Sequence, residues 1–386
     1  MGVIIDSIKG KLAKDLTPAQ TMIQNVCKIK KSETVLIIAN PELNQIAQDV
    51  YQAALEIGAK VSLIFQQKKN IMDFADKTVI GAILSEPDVI FSLSAVKLGK
   101  DENGIENPYT DENGKIYDNA FDYLLNGKKS VRAVWTPGLT QDIFDRTVNI
   151  DYDRLREQCK LLCQKYENAV SVHVTSPGGT DVVVPVKGRL PLVDDGDFSK
   201  PGTGGNIPSG EVFISPVVGK EKNEADEGEL NGTEGTIVFD GSMTFSDGDA
   251  ILKTPIVVSV QNGFVKDITG GAEAKRLLKD IQNAEKESLA MILTGKLSKE
   301  TGAEYKKNAR NIGELGIGLN PAASITGNML EDEKVFRTCH FAIGENYDGD
   351  APALIHFDGL VRNPTITIKY EDGSESVILK DGDLTI

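Results

Sequence analysis

Three histidines occur in 386 residues, and two of them, His340 and His356, lie sixteen positions apart. Asp358 follows the second by two positions. Neutral imidazole nitrogen and ionised carboxylate are the usual ligands of a catalytic divalent metal. The run Ala-Leu-Ile (353–355) precedes His356, and His340 sits in the strand-like stretch 336–343. Side chains at i and i+2 of a strand share a face, so His356 and Asp358 can reach one ion. A short loop joining two neighbouring strands would bring His340 to the same place.

Two carboxylates stand out by their surroundings. Glu211 lies in Ser-Gly-Glu-Val-Phe-Ile (209–214), and Glu314 lies in Asn-Ile-Gly-Glu-Leu-Gly-Ile-Gly (311–318). An ionised Glu among Val, Phe, Ile and Leu carries a desolvation cost unless a cation or a metal offsets it. Flanking glycines let a backbone or a substrate come close. The alternative use of each residue is an exposed Glu at the edge of an element, and a lone histidine is often a satisfied structural group.

The elements that must position these residues fall into two textures. Over the first 150 residues, helical patterns at 17–28 and 43–57 alternate with apolar strands at 34–39, 60–65 and 88–93. That alternation predicts a Rossmann-like N-terminal domain with a doubly wound parallel sheet, assigned to 1–165. The turn after its first strand, Asn-Pro-Glu-Leu (40–43), lacks the glycines of a dinucleotide fingerprint, which argues against a nicotinamide or flavin there. A helix over 153–166 leads into strands at 170–175, 180–185, 235–240, 254–260 and 263–268, with helices at 272–289 and 298–308. Residues 188–210, rich in Gly, Pro and Asp, predict a long ordered loop. The second domain, 166–386, is therefore expected to be a mixed α+β, metal-binding domain.

Composition narrows the function. The net charge of −15 repels phosphate backbones, so no nucleic-acid partner is expected. No apolar run is long enough to span a membrane, and the opening residues Met1 to Asp6 do not form a secretory signal. Cys27, Cys159, Cys163 and Cys339 form no disulfide framework, which fits a cytoplasmic chain.

Several ordered motifs resemble the aminopeptidase T and aminopeptidase S metallopeptidases. They are Gly-Glu-Val-Phe (210–213), Gly-Glu-Leu-Gly-Ile-Gly-Leu-Asn-Pro (313–321), Glu-Asp-Glu-Lys (331–334) leading to Cys-His-Phe-Ala-Ile-Gly (339–344), and His-Phe-Asp (356–358). Phe-Asp-Gly-Ser-Met (239–243) and Asn-Gly-Phe-Val-Lys-Asp-Ile (262–268) extend the likeness over most of the chain beyond residue 200. The resemblance implies a homodimer that releases N-terminal residues from peptide substrates. Two divalent ions (Zn, Co or Mn) would be held by Glu211, Glu314, His340, His356 and Asp358, about 4 Å apart, and would activate a water. It also implies that Glu314 bridges the ions or acts as general base, that Tyr347 donates to the developing oxyanion, and that Glu333 supports a ligand. Only the residues 341–355 separate the two histidines here, whereas the peptidases carry a longer insertion.

The rival is a mononuclear Fe(II) enzyme. Two His and one Asp make the facial triad of ring-cleaving dioxygenases, and dihydroxypyridine dioxygenase, a relative of these peptidases, has such a site on a similar fold. Glu211 and Glu314 favour the hydrolase, because two ions need them and one iron does not. A structural zinc site would call for Cys and His ligands instead. No nucleophile elbow of a serine hydrolase is present.

Overall fold

The computed structural model describes residues 16–70, 73–220 and 231–386. The opening segment read for a secretory signal lies outside them. The chain divides into two compact units, one of residues 1–156, 194–210 and 320–323, the other of 157–193, 211–319 and 324–386.

The first unit is built on a five-stranded sheet whose neighbours run Gly204–Asn206, Arg132–Trp135, Val89–Leu93, Thr34–Ala39, Lys60–Phe65. All of its pairings are parallel. In chain sequence this is the order 2-1-3-4-5, that of a doubly wound sheet that reverses direction beside its first strand. Strands of that kind are covered on both faces and read as continuous apolar runs. Val-Ile-Phe-Ser-Leu (89–93) is accordingly buried at every position. Helix Lys77–Ile83 and the turns around Leu124 and Leu125 pack against Leu36, Ile38 and Ile90. Helix Asn44–Glu56 contacts the two strands on either side of it in sequence.

Two details depart from the periodicity. The helix expected over 17–28 begins as an α-turn, Pro18–Thr21, closed by a capping box between Thr17 and Gln20, and continues as a π-turn over Met22–Val26. The loop expected over 188–210 contains two short strands, Leu192–Asp194 and Gly204–Asn206. A strand of three residues carries no alternation that would announce it, and the second, Gly-Gly-Asn, gains its place by pairing with Arg132–Trp135.

At the carboxyl ends of three strands Asn40 is fully buried. Its Oδ1 accepts from the Ala95 amide at 2.7 Å, and its Nδ2 donates to the Gln66 carbonyl at 3.1 Å. One side chain thus satisfies backbone groups that follow two other strands.

The second unit holds two antiparallel sheets. One has eight strands, with Glu234–Phe239, Asp181–Pro185, Ala169–Thr175 and Thr365–Tyr370 at its centre. The other has seven, and four of its inner strands lie side by side as His356–Arg362, Thr338–Gly344, Ile312–Gly318 and Glu211–Ile214. Helices Ala272–Leu293 and Lys299–Asn308 pack together beside the eight-stranded sheet. Among the described residues no helix is long and apolar enough to cross a membrane.

Replacing Asn40 with Ala strands the Ala95 amide and the Gln66 carbonyl. We expect a loss of about 1–3 kcal/mol, the cost of buried groups left unpaired. Urea unfolding would read it as a lower midpoint, and an unchanged midpoint would show that water replaces the amide.

Candidate metal centre

The site is a consequence of strand register. Gly316 pairs with His340, Glu314 with Ala342, and Gly318 with Glu211. On the other side His340 pairs with Leu360, Ala342 with Asp358, and Gly344 with His356. Paired residues point to one side of a sheet, so Glu211, Glu314, His340, His356 and Asp358 all project from the same face. The intervening positions on that face are Gly316, Gly318, Ala342 and Gly344, which leave room above the sheet. The opposite face carries Val212, Ile214, Leu315, Ile317, Phe341, Ile343 and Val361, all buried. Cys339 belongs to this apolar side, where burial pushes its thiol well above the ordinary range.

Gly316 is required by this packing. A Cβ at that position would run into Nε2 and Cε1 of His340, so only a glycine lets the imidazole lie over the neighbouring strand.

All five sequence-derived ligand residues converge. Donor atoms of Glu211, Glu314 and His340 lie within 4.8 Å of one another, as do those of Glu314, His356 and Asp358. Glu314 is common to both groups. Its Oε1 is 3.0 Å from His340 Nε2 and its Oε2 is 3.3 Å from His356 Nε2. Asp358 Oδ1 is 3.3 Å from the same His356 nitrogen, and Glu211 Oε2 is 3.6 Å from His340 Nε2. Gaps of this size match the edges of a coordination polyhedron with bonds of about 2.1 Å.

Two further observations fit a cation. Asp358 Oδ1, Glu211 Oε2 and His340 Nδ1 are buried without a hydrogen-bond partner. His356 Nδ1 donates to the Glu345 carbonyl at 2.9 Å, which leaves Nε2 as the nitrogen that faces the carboxylates and would ligate an ion on losing its proton.

The remaining residues of the Glu-Asp-Glu-Lys motif divide their work. Glu331 accepts from the Ser324 amide, and Asp332 accepts from the amides of Thr326 and Gly327, so this pair holds a loop. Glu333 and Lys334 turn to the site. Lys334 is fully buried, and its Nζ donates to Glu211 Oε1 at 2.5 Å and to Glu333 Oε1 at 2.6 Å. Burial, helped by the charges of Glu211 and Asp358, raises the Glu333 carboxyl to about 8 against the pull of Lys334. Sequence reasoning gave Glu333 only a supporting place and assigned Lys334 nothing. The available signal was one cation at the end of a run of three carboxylates, just before a buried strand.

Tyr347 stands at the rim, its ring edge-on to His356 at 5.3 Å and to Phe213 at 5.1 Å. It is 59% exposed. Phe213 was not singled out from sequence, although it shares the face of Glu211 two positions away.

In the metal-free protein the cluster is an internal salt link. Burial would raise Glu314, but hydrogen bonds from His340 and His356 outweigh it and bring the carboxyl down to about 2. Burial likewise opposes protonation of His340, and Glu314 overrides it, raising the imidazole to about 9. His356 is shifted in the same direction, chiefly by Asp358 once burial is overcome.

Comparison with known proteins adds a second kind of information. The family model described as NicX: 2,5-dihydroxypyridine 5,6-dioxygenase matches residues 140–385, more than half of the chain. The solved 2,5-dihydroxypyridine dioxygenase of Pseudomonas putida KT2440 is similar at a TM-score of 0.64 and 17% identity, over 95% of this chain and 96% of that one. Wild-type AmpT from Thermus thermophilus is similar at a TM-score of 0.61 and 15% identity, over 96% and 98%. No curated protein matches by sequence. At these identities the two structures establish a shared fold and no more. The family match overturns the expectation of an aminopeptidase, and with it the hydrolase chemistry and peptide substrates. The physical reason for the error is visible at Glu211. Its carboxylate was counted as needing a second ion, whereas Lys334 already partners it.

Two outcomes follow. The raised imidazoles contribute stability that is complete below their ordinary value of about 6.5 and is lost as pH rises through about 9. The depressed Glu314 contributes above about 4.5 and loses its contribution as pH falls through about 2. The chelated protein should therefore show a melting temperature that declines between pH 6.5 and 9. A flat melting temperature across that window would remove the proposed link. Separately, Gly316→Ala should displace His340, costing about 1–3 kcal/mol through overpacking. Elemental analysis should then find less metal retained per chain than in the parent protein, and full retention would show that the strand yields instead.

Proposed function

The chain belongs to the NicX, 2,5-dihydroxypyridine 5,6-dioxygenase, family, and from that premise we propose that it opens the ring of a hydroxylated N-heteroaromatic compound with dioxygen at one Fe(II) ion. The match over residues 140–385 carries this reading, because that stretch includes every residue of the metal cluster. The donor set supports it. His340, His356 and Asp358 supply the two imidazoles and one carboxylate that hold Fe(II) while leaving positions open. The bound ion would supply dioxygen activation and chelation of the ring hydroxyls, and both oxygen atoms would leave in the ring-opened product without an external reductant.

The protein's own groups have separate tasks in this scheme. Glu314, on the same sheet face as both imidazoles, can accept a hydroxyl proton from the substrate at Oε1 or Oε2. Its place between His340 and His356 also fixes the ring planes of both. Tyr347 and Phe213 offer aromatic edges beside His356 against which a flat ring can pack. The oxyanion role once expected of Tyr347 belonged to peptide hydrolysis and falls with it.

The test is dioxygen uptake with 2,5-dihydroxypyridine after anaerobic loading with Fe(II), followed also by loss of the ring absorbance. Asp358→Ala should fold and lose turnover by at least ~10²-fold, and Glu314→Gln should lose a comparable factor as an acid–base group. Absence of uptake across hydroxylated pyridines by the iron-loaded parent protein, or unchanged rates in Asp358→Ala, would reject the assignment.

A further inference from the structure

The loop between the two histidine strands carries Tyr347 to the rim, and its own backbone does little to hold it there. The Glu345 amide closes the base of the loop by donating to the Ile355 carbonyl at 2.8 Å. Among the described residues no backbone hydrogen bond spans the loop inside that pair. Side chains hold it instead. Asn346 Nδ2 donates to Asp350 Oδ1 at 2.6 Å, and the Ala351 amide donates to Asn346 Oδ1 at 3.1 Å. The tip is gripped from another part of the same unit. Arg189 Nη2 donates to Asp350 Oδ2 at 2.7 Å, and Nη1 lies 3.6 Å from Asp348 Oδ2. Arg189 is itself fixed: its amide donates to the Val186 carbonyl in the turn after strand Asp181–Pro185, and its side chain is only 13% exposed. The same Nη2 donates to the Pro216 carbonyl at 3.2 Å. Pro216 lies just beyond strand Glu211–Ile214, which carries Phe213. One guanidinium therefore ties the loop bearing Tyr347 to the strand bearing Phe213, and these two rings meet at 5.1 Å beside His356. A rigid fork of several donors can span separate acceptors in this way, whereas a single ammonium is a point charge without that geometry.

We propose that Arg189 is a positioning residue that sets the aromatic rim of the site. Through Asp350, Asp348 and the Pro216 carbonyl it holds Tyr347 against Phe213 and His356, so that a flat ring meets a wall already in place. Its bonds go to the loop and to the strand end, not to the metal-ligand side chains. With the guanidinium removed, the loop spends part of its time away from Phe213, and an incoming ring must draw it back. Apparent affinity then falls by the fraction of time for which the wall is assembled. The inference rests on the reading of the centre as a site for a flat hydroxylated ring, but not on what becomes of the ring once bound.

The experiment uses the full chain loaded with Fe(II). Binding of 2,5-dihydroxypyridine is measured by calorimetry in the absence of oxygen, and dioxygen uptake separately gives KM and kcat. Arg189→Met should raise Kd and KM about tenfold, as for a wall assembled a tenth of the time, with iron content and kcat unchanged. Arg189→Lys should recover part of the loss. Tyr347→Ala should itself weaken binding, and adding Arg189→Met to it should weaken binding no further, because the arginine acts through that ring. Hydrogen exchange needs no ligand: in Arg189→Met the amides of 346–351 should exchange faster, while strands Thr338–Gly344 and His356–Arg362 keep their parental rates. Asp350→Asn breaks the same contact from the exposed side of the loop and should act in the same direction, so the test stands even where Arg189→Met does not fold. Parental Kd in both variants, additive losses in the double variant, or unchanged exchange in the loop would each overturn the proposal. Failure of the ring-cleaving assignment is seen separately. Binding that responds to Arg189 without dioxygen uptake rejects ring opening alone, and uptake with a parental KM in Arg189→Met rejects the positioning role alone.

Discussion

Like charges in a small, dry space are the constraint on which the second unit depends. Glu211, Glu314 and Asp358 are each less than a tenth exposed, and Glu333 lies against them. Carboxylates taken out of water and set side by side repel strongly unless positive charge is supplied at short range. The chain supplies it twice. Lys334 serves Glu211 and Glu333, while His340 and His356 serve Glu314 and Asp358. The difference between the two supplies is chemical. An imidazole can give up its proton and bind a metal through the same nitrogen, whereas a buried ammonium clasped by two carboxylates cannot vacate its place without exposing them.

The sheet makes this crowding tolerable. Each of the four site strands turns a continuous apolar face to the core, with Leu315, Ile317, Phe341 and Ile343 fully buried. That face anchors the strands whatever happens on the other. The polar face needs only enough room for its side chains, which Gly316, Gly318, Ala342 and Gly344 provide by having almost nothing to place there. Gly316 shows how closely the two demands are matched, because the space its missing side chain leaves is filled by the imidazole of His340.

Much of this was legible in the chain. His340, His356 and Asp358 stood out by the scarcity of histidine and by the i, i+2 spacing of a strand, and Glu211 and Glu314 by their apolar, glycine-rich surroundings. Their union as one ligand set was what the peptidase resemblance implied. The doubly wound sheet was equally plain, since its strands are runs of Val, Ile and Leu between amphipathic helices. The π-turn at Met22–Val26 was not legible because its wider local hydrogen bonds leave the apolar spacing of a helix almost unchanged, and the strand at Gly204–Asn206 was not because its pairing partner is remote in sequence. Lys334 was hidden for a different reason. Lysine beside acidic residues is the ordinary composition of a solvated surface, and only burial distinguishes this one.

The same considerations show why fold and ligand count did not discriminate between hydrolysis and oxygenation. AmpT and the dihydroxypyridine dioxygenase are similar to this chain over nearly their whole lengths and to nearly the same degree. A pocket with two imidazoles and several carboxylates can serve two ions or one, and five converging donors satisfy either arrangement. What separates the two readings here is the family match over residues 140–385, which takes in every residue of the cluster. A second ion would offer a Lewis-acidic position at which a water or a peptide amine can bind, which two-ion hydrolysis requires. A single ion completes its coordination from solvent and substrate, and open positions on it are the condition for bringing dioxygen and an aromatic ring together.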